Sequence, residues 1–277
     1  MRSVKSLIAD GAATLISSTA FAADMAIAPP PAYAPPPVVE DFGGWYLRGD
    51  IGFSNQRVER LTNVLDANNT TSSQNLSFNS AGIFGLGAGY RFNNWFRADV
   101  TGEYRGNSQF FGTDSITYVG GLGTDTYHAT KNEWVVLANA YVDLGTWWCV
   151  TPFVGAGIGC ARVGIANFTD LGIATLGGGA LLPGLASGDN VSKWNMAWAL
   201  HAGLAYKVTP NFTVELAYRY LDMGDGLTGD LRTFDGSGVN TINPMTFKNI
   251  TSHDLKLGVR WDLTSPHVYA PPLVTKG

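Results

Sequence analysis

Charge is scarce in this chain. Only 14% of its 277 residues are Asp, Glu, Lys or Arg, against 45% hydrophobic residues, 12% aromatics and 34 glycines. That balance is poor for a soluble α/β enzyme. A basic excess is also missing. A formal net charge of -4 provides no positive face for phosphates, which excludes nucleic acid as a partner. Beyond the N-terminal stretch, no uninterrupted apolar run approaches the roughly 20 residues that a membrane-spanning helix needs, and this excludes a helical inner-membrane protein. Cysteine is limited to Cys149 and Cys160. They lie in one extended stretch, about 35 Å apart at the rise of a strand, beyond the reach of a disulfide. Two buried, inert thiols are the expectation.

What is present begins with an export signal. Arg2 and Lys5 form a positive end, Leu7 to Ile16 is mostly apolar despite Asp10, and Ala20-Phe21-Ala22 supplies a small-x-small cleavage pattern. Residues 1–22 are therefore expected to be removed, and without Arg2, Lys5 and Asp10 the mature chain carries -5. Residues 23–44 include APPPAYAPPP, which lacks the N–H donors of helix or inner strand and predicts an extended polyproline linker. A second proline-bearing tail occupies residues 264–277.

Between them, residues 45–263 show two-residue alternation, which sends successive side chains to opposite faces of a sheet. Trp45, Leu47, Ile51 and Phe53 alternate with Tyr46, Arg48, Asp50 and Ser54. Phe84 to Phe92 and Phe96 to Arg105 repeat the pattern, the second opposing Phe96, Ala98, Val100 and Tyr104 to Arg97, Asp99, Glu103 and Arg105. Further segments run from Trp134 to Leu144, Pro152 to Val163, Trp194 to Tyr206, Phe212 to Tyr220 and Asp254 to Leu263. In the glycine-rich fifth, Val154, Ala156 and Ile158 are the expected outward set. Each segment is about ten residues, the length a tilted strand needs to cross a bilayer.

Connections alternate as well. Asn93-Asn94, residues 145–151 and 208–211 are short and turn-like, whereas 60–79, 106–132, 164–192 and 222–250 are long and rich in Gly, Asn, Thr, Ser and Asp. Composition marks these four as mobile, water-exposed loops. The expected fold is all-β: an eight-stranded antiparallel up-and-down transmembrane β-barrel with four long extracellular loops, short periplasmic turns and both termini periplasmic.

Backbone groups in hydrocarbon must pair within the protein, so the sheet has to close and turn its apolar face outward. The inner face then holds Arg48, Asp50, Arg97, Asp99, Glu103, Arg105, Asp143, Glu215, Arg219, Asp254, Lys256 and Arg260. Interleaved opposite charges in so narrow a lumen predict a plug of ion pairs. Trp45, Tyr90, Phe92, Trp95, Phe96, Trp147, Trp148, Phe212 and Trp261 gather at the turn ends, as an interfacial girdle would.

Three segments carry a resemblance: GWYLRGDIG at Gly44 to Gly52, PFVGAGIG at Pro152 to Gly159 and KLGVRWDL at Lys256 to Leu263. The chain resembles the small outer-membrane barrels of alphaproteobacteria, the opacity-like surface antigens related to OmpA-type transmembrane domains. That resemblance implies contact with outer-membrane lipid and lipopolysaccharide, and implies that Lys256, Gly258, Trp261 and Leu263 form the assembly signal read by the outer-membrane insertion machinery. Leu263 stands where the pattern has a terminal aromatic, and a tail follows it. The resemblance brings no catalytic motif, and no residue spacing singles out a triad or metal site. The functional expectation is a structural surface barrel that supports the envelope and presents loops, with no cofactor. The alternatives are a ligand-binding or adhesive barrel, for haem or a host molecule, or a narrow small-solute porin. His128 is the loop histidine open to haem iron.

Overall fold

Strand-forming alternation runs much further along the chain than ten-residue segments. The computed structural model describes residues 43–64, 70–118, 120–176, 179–236 and 242–263, the side chains of 70–73, 118, 176 and 180 excepted. The signal and most of the linker expected over 1–44, and the tail 264–277, lie outside the described residues.

Among the described residues there are thirteen strands: β1 (Gly44–Arg57), β2 (Arg60–Thr62), β3 (Thr70–Phe78), β4 (Ala81–Arg91), β5 (Phe96–Tyr118), β6 (Gly121–Asp143), β7 (Val150–Leu176), β8 (Ala180–Gly188), β9 (Val191–Lys207), β10 (Phe212–Asp222), β11 (Gly226–Thr233), β12 (Pro244–Lys248) and β13 (Thr251–Asp262). Eight of them pair antiparallel in a closed circuit, β1-β4-β5-β6-β7-β9-β10-β13 and back to β1. No edge is left open in this lower circuit. Short turns join its strands at one end, where Asn93 accepts the N–H groups of Trp95 and Phe96.

The four long connections are not the mobile loops that their composition predicts. β5, β6 and β7 run on for 23, 23 and 27 residues, and β2, β3, β8, β11 and β12 fill most of the remainder. At about 3.3 Å per residue the longest strands cover on the order of 75 Å, far more than an apolar band ~25 Å tall requires. These pieces build a second circuit above the first, in the order β3-β5-β6-β7-β8-β11-β12-β2. Its ends meet through one side chain: Gln74 of β3 accepts the Leu61 N–H at 3.0 Å and donates to the Leu61 carbonyl at 3.1 Å.

Two bulges hide the upper storey from a period-two reading. β5 slips between Arg105 and Ser108, and β7 slips opposite His128 to Thr130, where Asn167 has a φ of +52°. An extra residue moves every later side chain to the other face. Thus Arg97 to Arg105 point inward from odd positions of β5, whereas Ser108, Phe110 and Asp114 point inward from even ones.

The faces also exchange character. In the lower circuit the outward face is apolar, with Leu47, Ile51, Leu86, Val100, Leu200 and Leu257 exposed. In the upper circuit the inside is apolar: Phe78, Phe110, Tyr127, Phe168, Phe247 and Ile250 are buried there with Leu61, Leu231 and Met245. Burying each such side chain from water contributes about 1.5–3 kcal/mol, so the upper storey is held as a soluble protein is held.

Candidate functional site

The inner face of the lower circuit is unevenly charged. Most charges come from β1, β5, β10 and β13, with Lys131, Glu133 and Asp143 at the two ends of the lower part of β6, whereas the middle of that part with β7 and β9 contributes Val135, Leu137, Ala161, Ala197 and Ala199. Small apolar residues on one wall leave room for the long side chains of the other, so the interior is less uniformly polar than the alternation predicts. Glycines help in the same way. The Tyr46 ring leans over Gly89 on the paired strand, where a Cβ would come within 2.4 Å of it.

The structure places all twelve charges named from the sequence on this face, with Asp143 half-exposed at the turn end and the rest buried. They form one connected ladder. Arg97 bridges Asp143 and Glu215, each at 3.3 Å, and its guanidinium lies 4.3 Å from the Tyr141 ring centre and 4.8 Å from that of Phe153. Glu215 also meets Arg260 at 2.5 Å and Arg48 at 3.5 Å. Arg48 reaches Asp50 and Asp99, both at 2.8 Å, and donates to the Tyr141 hydroxyl at 2.9 Å. Lys256 carries the ladder onward, 3.5 Å from Asp50 and 2.5 Å from Glu103. Arg219 joins Glu103 at 2.6 Å to Asp254 at 2.7 Å, and Arg105 joins Asp254 at 2.8 Å to Glu133 at 3.0 Å.

The top rung was not named from the sequence. Lys131 pairs with Glu133 and donates to Gln56, while Gln56 donates to Glu133 at 3.0 Å. Lys131 also sits 4.3 Å from the centre of the Phe78 ring, where the ladder meets the apolar storey. Both residues share the odd parity of Asn139 and Tyr141, so extending β6 backwards past Trp134 would have found them. Among the described residues, seven cations of the ladder (Arg48, Arg97, Arg105, Lys131, Arg219, Lys256 and Arg260) thus face seven anions (Asp50, Asp99, Glu103, Glu133, Asp143, Glu215 and Asp254), and Arg91 meets Asp262 at 2.7 Å at the turn end. The interior is neutral as a whole, the arrangement that makes burial of each charge tolerable.

At the closing strand, Lys256 and Gly258 face inward, and a Cβ on Gly258 would come within 2.6 Å of the Asp50 carboxylate. Trp261 and Leu263 face outward. Trp261 packs edge-on to Phe212 at 6.0 Å, and the Leu263 N–H donates to the Trp45 carbonyl at 2.9 Å. The turn-end aromatics form chains of contact, Trp45 to Tyr90 to Phe92 to Phe96 to Trp95, at 5.1 to 5.7 Å between ring centres.

The cysteines depart from expectation. Neither is buried: Cys149 is exposed in the β6–β7 turn, with a φ of +67°, and Cys160 is half-buried on the outward face between Val136 and Met196. A turn at the rim offers no interior for the first, and the glycine-rich strand leaves the second uncovered. His128 lies on the outer wall against Phe111, 5.2 Å between ring centres. Among the described residues no group of three or more His, Cys, Asp or Glu is placed to hold a metal ion.

Above the ladder, burial raises the Asp114 carboxyl above the usual carboxylate range, and burial with the nearby Asp170 and Asp114 raises the Tyr127 phenol. Tyr127 donates to Asp114 at 2.8 Å. At the foot of β11 the balance goes the other way. Partial burial disfavours the Asp225 carboxylate, but the Asn249 N–H and Lys248, each at 2.9 Å, hold it below the usual range.

A closed antiparallel circuit with an apolar outside and a paired, charged inside defines a β-barrel of the membrane-spanning class. Residues 13–262 match the model of the outer membrane protein beta-barrel domain, and the chain belongs to that family. It is 32% identical to an uncharacterized protein of Brucella abortus, covering 88% of this chain and 93% of that one. It is 29% identical to a Rickettsia felis protein named "Putative adhesin", covering 93% and 98%. Among solved structures, the outer membrane protein OprG of Pseudomonas aeruginosa matches 80% of this chain and 97% of its own, at 12% identity and a TM-score of 0.45. The protein is therefore an outer-membrane surface barrel with an all-β antiparallel fold.

Proposed function

We propose that the chain is a closed, non-conducting eight-stranded up-and-down barrel that supports the outer envelope and presents its upper storey to the outside. In this reading the short turns and both termini are periplasmic, the twelve interior charges with Lys131 and Glu133 form the plug, and Lys256, Gly258, Trp261 and Leu263 form the assembly signal. The observation that carries it is the neutral, buried ladder running the length of the lower lumen, capped by an apolar interior above. A solute would have to break both. The reading assigns the chain no catalysis and no cofactor. Deleting the gene is expected to raise detergent sensitivity, with recovery on complementation. Unchanged sensitivity and cell shape would overturn the structural role.

A second reading, an adhesive surface, is favoured by the β7–β8 hairpin and by the name of the Rickettsia relative. Leu171 pairs with Leu185, and Ile173 with Pro183, and these leucines and the isoleucine are exposed beyond the level of the apolar belt. A cluster of exposed apolar side chains in water marks an interaction surface. Replacing Leu171, Ile173 and Leu185 with Ser is expected to lower cell adherence several-fold while leaving detergent resistance intact. Equal adherence would remove this reading and leave the first.

A further inference from the structure

The outward face of β7 is apolar through Val154, Ala156, Ile158 and Cys160, and then meets a charge, Arg162. Strand register puts Arg162 directly between Trp134 of β6 and Trp194 of β9, and Tyr104 of β5 is paired to Trp134 with ring centres 5.0 Å apart. One rung across four strands therefore reads Tyr104, Trp134, Arg162, Trp194. The next outward positions below it are Val136, Cys160 and Met196, and the next above are Asn132, Gly164 and Ser192. The rung marks the level at which the outer wall changes from apolar to polar, where indole rings settle at a membrane surface.

Every arginine on the inner face meets a carboxylate, whereas Arg162 has none within 4.0 Å among the described residues. It donates from Nη2 to Ser192 Oγ at 2.8 Å, which ties one edge of the guanidinium to the wall. A fixed guanidinium presents a fork that matches a phosphate, and at this height the phosphates are those of lipid headgroups.

We propose that Arg162, flanked by Trp134 and Trp194, is a binding site for the phosphate of an outer-leaflet glycolipid headgroup, the indoles covering the start of its acyl chains. The proposal rests on the reading that the upper storey is extracellular. Both can be tested on the full chain folded in detergent and in cells. Native mass spectrometry with added lipid A is expected to show retention by the wild type and about tenfold less by Arg162→Gln, since a hydrogen bond to a charged group is being lost. Dephosphorylated lipid A of the same acyl composition should be retained weakly and equally by both, and inorganic phosphate should not displace the lipid at equimolar concentration. Arg162→Lys is expected to fall between. Equal retention of lipid A by wild type and Arg162→Gln overturns the site, as does equal retention of the two lipids by the wild type. The second comparison needs no variant and so survives a folding failure. Displacement by equimolar phosphate would make it a free-anion site and overturn the lipid assignment. Sidedness is read separately, by maleimide labelling of Ser187→Cys in a Cys149→Ser, Cys160→Ala background on intact cells. Absence of label there, with lipid selection intact, overturns the extracellular reading and leaves the phosphate contact standing.

Discussion

Arg219 shows what holding a charge inside the barrel requires. Its guanidinium is fully buried and spans Glu103 and Asp254, two carboxylates that would otherwise face each other across β5, β10 and β13. Replacing it with Met is expected to destabilise the folded barrel by about 3 kcal/mol, near the lower end for a broken buried pair, because Glu103 keeps Lys256 and Asp254 keeps Arg105. Urea unfolding in lipid vesicles measures this, and adding Glu103→Gln to Arg219→Met should recover part of the loss. A full additive penalty would mean that the two residues do not act as a pair. At this scale the sequence was legible wherever a charge alternated with an apolar neighbour, as Arg97 to Arg105 do. It was not legible at Lys131 and Glu133, because their outward partners Thr130 and Asn132 are polar and Lys131 itself leans on a ring of the other storey.

At the scale of the strand, polarity alternates as expected only while one side meets lipid. The eight expected segments fall almost wholly within strands of the lower circuit because stretches such as Trp45 to Phe53 or Leu255 to Leu263 keep one phase throughout. Beyond Arg105 and Ala166 that signal inverts, since bulges shift the phase and the apolar side chains pass to the inner face. Gly, Asn and Thr on the wet face then look like loop composition. Two carboxylates give these upper strands opposite responses to acid. Asp225 has a depressed pKa, so what it contributes is present above the ordinary carboxylate range and is lost as pH falls through its lowered value. Asp114, buried beside Tyr127, Gln74 and Asp125, has a pKa raised by that burial, so its contribution is full below that range and is lost as pH rises through its raised value. Amide hydrogen exchange resolves the two. The protection factor at Asn249, observed exchange against the intrinsic rate at the same pH, should fall on acidification and stay level in Asp225→Asn. Around Phe110 to Asp114 it should rise on acidification, and Asp114→Asn should give that protection at neutral pH.

For the molecule as a whole, the proposed non-conducting barrel would have two unlike barriers in series. The lower is a ladder of neutralised charge, and the upper is an aromatic and aliphatic core. Removing one leaves the other in place. Folded wild type in planar bilayers is therefore expected to give no stable conductance steps, nor should the pair Glu103→Ala and Arg219→Ala, nor the pair Phe110→Ala and Phe247→Ala. Only the combination of all four should conduct. Large steps from wild type would return the chain to the porin reading.

Among the described residues, the upper circuit has a seam that no run of main-chain bonds sews shut. Where β2 and β3 approach, the carboxamide of Gln74 stands in for a neighbouring peptide group, filling both the N–H and the carbonyl of Leu61. Strands left bare at such a margin zip onto strands of other molecules. The Gln74 carboxamide covers that margin at Leu61, so Gln74→Ala is expected to promote association of the folded protein, read by light scattering in detergent.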